Sequence, residues 1–190
     1  MIPEPLIVAV DVDYRETGAV AAGLWFRGWA AETAEFQITA QFRDAAPYEP
    51  GAFYLRELPC LLGVLALGPR PDVIVVDGYV WLGDGVNGLG AHLHNATGVV
   101  VVGVAKTRFA TATDAMDVCR GTSRSPLFVS AVGMPVALAA TNIAGMSGPF
   151  RIPALLKQVD SLARFRGAVA GESGISGSIE VSHGDIIAGN

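Results

Sequence analysis

Pro71-Asp72-Val73-Ile74-Val75-Val76-Asp77-Gly78 is the stretch on which the fold turns. Four β-branched residues follow one another without a polar break and end on a carboxylate and a glycine. Such a run marks a strand covered on both faces, as in the middle of a layered α/β sheet. Asp77 then stands where the strand leaves the core, and in open α/β sheets sites form outside the carboxyl ends of the strands. Asp-Gly also suits the start of an ordinary loop, so Asp77 alone decides nothing. A second stretch, Leu6-Ile7-Val8-Ala9-Val10-Asp11-Val12-Asp13, repeats the design. Pairing these two strands would set Asp11 beside Asp77. Two adjacent carboxylates repel, which calls for a divalent cation or a shared proton.

The chain of 190 residues suffices for one domain with a sizeable core. It is 51% hydrophobic and only 16% charged, a packed aliphatic protein rather than a disordered one. No apolar run reaches the length needed to span a bilayer, and the N-terminus lacks a secretory pattern, so a cytoplasmic address and no membrane partner are expected. Cys60 and Cys119 are too few for a disulfide framework. The net charge of −5 argues against a broad basic nucleic-acid surface, while leaving room for local phosphate contacts.

From the first strand the chain turns through Tyr14 to Gly18. Residues 19–29 and 30–42 then read as two more strands with a turn near Arg27-Gly28-Trp29, completing an antiparallel meander. Trp25, Phe26 and Trp29 read as core or sheet-face aromatics. A loop with Pro47, Tyr48, Glu49 and Pro50 precedes a helix over 52–67, whose Phe53, Leu58, Leu61, Leu62 and Leu65 recur at helical spacing. Glu57, the only acid on that helix, is either a surface residue or a carboxylate aimed at the two strand ends. After the strand ending at Asp77 come a glycine-rich loop, a short helix over 88–95 and a buried strand over 98–105, a parallel crossover that brings Lys106 out at the same sheet edge as Asp77. Residues 110–124 read as a polar connection, 126–130 as a short strand, 135–144 as a helix. Residues 152–166 read as a last helix with Pro153 in its first turn and Asp160 upon it. The fold class is therefore α/β: a mixed central sheet, meander plus parallel strands, with helices on both faces. One domain is expected over 1–166. Residues 167–190 are expected to be a poorly ordered or irregular tail. His92 and His94, two apart, cannot form the usual one-turn metal pair.

Asp11, Glu57, Asp77, Asp160 and Lys106 make up the set that carries chemistry. Acids from separate elements suit a two-metal phosphodiesterase centre, in which one cation activates water and the other stabilises the leaving oxygen. A lysine at the strand end suits the charge on a scissile phosphate.

These segments together resemble the endonuclease V family of RNase H-like nucleases, over most of residues 5–165. Val10 to Tyr14 resembles the family's first metal strand. Pro47-Tyr48-Glu49-Pro50-Gly51 with Leu55-Arg56-Glu57 resembles its Pro-Tyr-Ile-Pro-Gly wedge and the Phe-Arg-Glu that follows. Pro71 to Gly78, Gly103-Val104-Ala105-Lys106, Pro126 to Ser130 and Arg151-Ile152-Pro153 follow in the family's order. The resemblance implies Asp11, Asp77, Glu57 and Asp160 as ligands of Mg²⁺, with Mn²⁺ as a substitute, and Lys106 beside the phosphate. It implies a wedge of Pro47, Tyr48 and Pro50, with Gly78 and Tyr79 next to the base. The substrate it implies is DNA or RNA carrying a deaminated base, chiefly inosine, cut on the 3′ side; such a base pairs poorly and flips out at low cost.

The chain departs from the family after Asp77. The usual Gly-Gln-Gly and its basic, histidine-bearing loop are replaced by Gly78-Tyr79-Val80-Trp81-Leu82-Gly83. Tyr79 and Trp81 either stack on a base or pack under the glycine loop. Glu49 adds a negative charge to the wedge. A nucleic-acid-binding relative with weak or no cleavage is therefore the second reading. A sugar-kinase-like ATP site is the third, and the chain is too short for its two lobes.

Overall fold

The strand expected over 72–77 is β4 (Val73–Asp77), and it lies in the middle of an eight-stranded sheet. The structure is a computed structural model that describes residues 3–16, 18–43, 53–166 and 176–181. In chain order the other strands are β1 (Leu6–Arg15), β2 (Gly18–Arg27), β3 (Phe36–Phe42), β5 (Val100–Ala105), β6 (Met116–Val118), β7 (Leu127–Val132) and β8 (Ser176–Val181). The helices are α1 (Phe53–Ala66), α2 (Leu89–Thr97), α3 (Val136–Gly145) and α4 (Ala154–Arg164). The strand order is β6-β7-β5-β4-β1-β2-β3-β8. β1, β2 and β3 form the antiparallel meander, and β4 runs parallel to both β1 and β5.

Alternation along each strand separates two cores. Ile7, Ala9, Val73, Val75, Val102 and Val104 face one layer, which α3 and α4 cover. Val8, Val10, Ile74, Val76 and Val101 face the other, covered by α1 and α2. Helices on both faces are thus required because β4 and β1 have no polar side to present to water. Trp25 and Phe26 are wholly buried, and the Trp25 indole N–H donates to the Pro69 carbonyl at 3.0 Å. Trp29 packs half-buried against the core.

Three details differ from the sequence reading. β3 starts at Phe36 rather than near residue 30, because Gly28 (φ 75°) opens a loop that closes only where the Glu35 amide donates to the Trp25 carbonyl. The polar connection 110–124 contains the edge strand β6, three residues too short to show a period. Of the tail from Gly167, Ser176–Val181 run parallel along β3; the other tail residues lie outside the described residues. No helix among the described residues is long and apolar enough to cross a membrane.

The loop that leaves β4 is laid directly over β5. A Cβ on Gly103 would stand 2.6 Å from the Gly78 carbonyl oxygen and 2.9 Å from Ser130 Oγ. Ser130, fully buried, accepts the Val80 amide at 2.9 Å. Gly103→Ala is therefore expected to cost roughly 1–3 kcal/mol of stability through overpacking. Equilibrium urea unfolding measures it, and an unchanged midpoint would contradict this close approach.

Candidate active site

Each acid reaches the carboxyl edge of the sheet by a different route. β1 and β4 pair in parallel with Val10 opposite Val76, which carries Asp11 next to Asp77 one residue on. Adjacent strands lie about 4.8 Å apart, so the two carboxylates are close neighbours. Both share the parity of Ile7, Ala9, Val73 and Val75, and so they face the layer that holds α4. α4 buries Leu155, Val159 and Ala163 and turns Asp160 toward the strand ends. A small cleft there is lined by Val10, Asp11, Val76, Asp77, Lys106 and Asp160 among others.

Lys106, just past β5, joins the acids. Its Nζ donates to Asp77 Oδ2 at 2.6 Å and stands 4.0 Å from Asp160 Oδ1. Burial alone would lower the Lys106 pKa, but the hydrogen bond and charge of Asp77, helped by Asp160 and Asp11, raise it instead. Lys106 therefore stays a cation. Arg164, one turn after Asp160, holds that carboxylate at 3.1 Å.

Glu57 does not line the cleft. It comes from α1 in the opposite layer and meets the sheet edge from that side. It is nevertheless half-buried and within the field of the two aspartates. Burial, then Asp11, then Asp77 push the Glu57 pKa up to about 8, against the pull of Arg56. Burial, then Asp77, push Asp11 up to about 7, with Asp160 adding and Lys106 opposing. Glu57 is thus withdrawn from open solvent, outside the cleft but in the field of Asp11 and Asp77. The Arg56 guanidinium carbon lies over the Tyr14 ring, 3.6 Å from its centroid.

The donors are all carboxylate oxygens, which suit a hard divalent cation such as Mg²⁺ or Mn²⁺ rather than a thiophilic metal. Two carboxyls held at raised pKa values by burial first and by neighbouring carboxylates second fit a site that a cation would neutralise. As they stand, no group of three or more His, Cys, Asp or Glu side chains among the described residues is arranged to hold a metal ion. Lys106 occupies one face of Asp77 meanwhile.

Around the acids, the residues expected at the base divide. Gly78 has φ +134° and open space where a Cβ would project, so a ligand can approach its backbone. Tyr79 is 9% exposed; its hydroxyl donates to the Thr107 carbonyl at 2.8 Å and accepts the Phe109 amide at 3.0 Å. Tyr79 thus packs beneath the loop after β5 and props it. Trp81 donates to the Ala131 carbonyl at 3.3 Å. Pro47, Tyr48 and Pro50 lie outside the described residues. His94 is bonded to the Val99 carbonyl, and His92 stacks on Tyr54 with ring centroids 3.7 Å apart.

Arginines whose contacts the sequence reading missed brace the elements that carry the site. Arg120, 6% exposed, donates to the carbonyls of Ala144, Met146, Gly148 and Phe150 and so shapes the connector before α4. Arg151 and Arg15 contact backbone carbonyls in the same manner. Arg120 and Arg151 lie in connecting segments and Arg15 at a strand end, where no periodicity separates them from solvated arginines.

The endonuclease V family model matches residues 2–147, a segment that ends before Asp160. An endonuclease V of Streptomyces coelicolor is 33% identical over 183 residues, covering 83% of this chain and 77% of that protein. The crystal structure of an endonuclease V from Streptomyces avermitilis superposes with a TM-score of 0.69 at 28% identity, covering 85% of this chain and 82% of that one. An endonuclease V of Ciona intestinalis, crystallised with a DNA 23-mer containing an inosine followed by a ribo-adenosine, gives a TM-score of 0.68 over 84% of this chain and 83% of its own. At 18% identity that last likeness speaks for the fold alone. The α/β arrangement expected from the strands is the one these structures share, and the chain belongs to the endonuclease V family and is an endonuclease.

Proposed function

We propose that the chain hydrolyses a phosphodiester bond on the 3′ side of a deaminated base, inosine first, in a reaction that depends on Mg²⁺ or Mn²⁺. The observation that carries this is the meeting of Asp11, Asp77 and Asp160, from three separate elements, around Lys106 at one sheet edge, with Glu57 in the field of Asp11 and Asp77 from the opposite layer. Asp11 and Asp77, with Glu57 and Asp160, would hold the cation. When bound it supplies Lewis acidity, lowers the pKa of an attacking water and balances charge on the leaving oxygen.

The chain's own groups do the rest. The ammonium of Lys106, kept charged by Asp77, offers a positive contact to the scissile phosphate. The open backbone at Gly78 gives a flipped base room beside the acids. The apolar wall of Val75, Val104 and Leu127 limits water on the sheet side of the cleft.

The inward turn of Tyr79 and the missing basic loop favour a second reading, a relative that binds such strands and cuts them poorly. One panel separates the two. Single- and double-stranded DNA and RNA, each with one inosine, are incubated with Mg²⁺, with Mn²⁺ and with EDTA. The expected result is a single cut 3′ to the inosine with either metal and none in EDTA. Tight binding without product in every lane supports the second reading; equal cutting in EDTA defeats the first.

A further inference from the structure

The proposed centre needs α4 to keep Asp160 at a set distance from strands with which it makes no backbone ladder. Apolar packing through Leu155, Val159 and Ala163 attracts α4 to the sheet, but such contact is non-directional and does not fix the helix along its axis. Directional contacts occur at its two ends. Arg15, the last residue of β1, donates through Nη2 to the carbonyls of Ala163 at 3.0 Å and Phe165 at 2.8 Å. These belong to the end of α4, where helix carbonyls lack internal partners. Arg15 also donates from Nε to Asp13 at 3.4 Å, on its own strand. At the other end, Arg151 donates through Nη2 to the Lys106 carbonyl at 2.5 Å and the Pro126 carbonyl at 2.7 Å. Arg151 leads directly into α4, on the connector that Arg120 braces from beneath.

One guanidinium thus ties α4 to the strand of Asp11, and the other ties it to Lys106 itself. Between them Asp160 stands 4.0 Å from the Lys106 ammonium. We infer that Arg15 and Arg151 are positioning residues, a two-point clamp that sets Asp160 against Lys106 and the strand-end aspartates. The clamp rests on the catalytic reading given above. Arg70 offers a matched comparison: it donates to the Thr97 carbonyl at 3.0 Å, at the end of α2 on the opposite edge of the sheet.

The test uses the full chain with Arg15→Met, Arg151→Met and Arg70→Met. Mn²⁺ binding is followed by the EPR signal of the free ion, and cleavage of an inosine oligonucleotide is measured well below each melting temperature. Arg15→Met and Arg151→Met should each weaken Mn²⁺ binding and lower kcat by about tenfold or more, in the range seen for groups that orient metal ligands. KM should move by less than about threefold, because substrate contacts are untouched. Arg70→Met should match the parent in both, whatever its melting temperature. If a methionine variant does not fold, the lysine variant, which keeps the charge but loses the fork, should show the same fall. Parental Mn²⁺ affinity and kcat in either clamp variant, or an equal loss in Arg70→Met, overturns the clamp. A parent chain that binds no Mn²⁺ overturns the catalytic reading, and the clamp falls with it.

Discussion

Asp11→Asn and Asp77→Asn should each reduce cleavage of an inosine-containing strand by at least about a thousandfold, the loss expected if these carboxylates anchor a catalytic cation. The swap keeps shape and hydrogen-bonding capacity while removing charge. Asp77 loses its ionic hold on Lys106, now a 2.6 Å contact, but an amide oxygen still accepts from the ammonium. Asp11 lies midway along β1, after four residues buried at 2% exposure or less, so the fold does not depend on its charge. Far-UV circular dichroism of both variants should therefore superpose on that of the parent. Single-turnover assays with enzyme in excess separate this from weaker binding. Cleavage within tenfold of the parent in either variant would remove the chemical basis for a carboxylate-held cation.

How far the site was legible depended on the kind of signal each residue sits in. Asp11 and Asp77 end unbroken apolar runs, which mark central strands, and the parallel pairing of β1 with β4 then brings the two acids together. Lys106 followed from the crossover, since a parallel strand must emerge at the same edge. Glu57 was ambiguous because a helix projection gives a face but not which layer the helix joins; its raised pKa comes from neighbours supplied by β1 and β4. Tyr79 was equally open, and burial decided it, through a backbone carbonyl and amide 28 and 30 residues away. The start of β3 was misplaced because Trp29 and Ala31 are apolar enough to look like strand residues. They pack on the core from a loop instead. Arg15, Arg120 and Arg151 bond to main-chain oxygens, which every residue owns, so their partners leave no trace in side-chain pattern.

The same crowding of acids that would serve a cation should weaken the metal-free fold, to a degree that depends on pH. Asp11 titrates near 3.8 when unperturbed and about 7 in the fold; Glu57 moves from 4.5 to about 8. Below pH 3.8 both are protonated in folded and unfolded chains alike, and no penalty exists. As pH rises through 3.8 and 4.5 the unfolded chain releases these protons while the fold retains them, so stability falls. The fall is complete above about 7 for Asp11 and about 8 for Glu57. Each pKa step is worth about 1.4 kcal/mol, but Asp11 is only partly withdrawn from water, and solvent screening reduces the effect to roughly 2 kcal/mol. In EDTA, Asp11→Asn should therefore melt higher than the parent by roughly 4–8 °C at pH 8.5. The gain should vanish near pH 4, and Glu57→Gln should behave alike with its onset displaced upward. Saturating Mn²⁺ should reverse the order at pH 8.5, since the ion stabilises only the chain that binds it. A gain of equal size at both pH values would mean that packing or hydrogen bonding, and not the enforced proximity of charges, sets the difference.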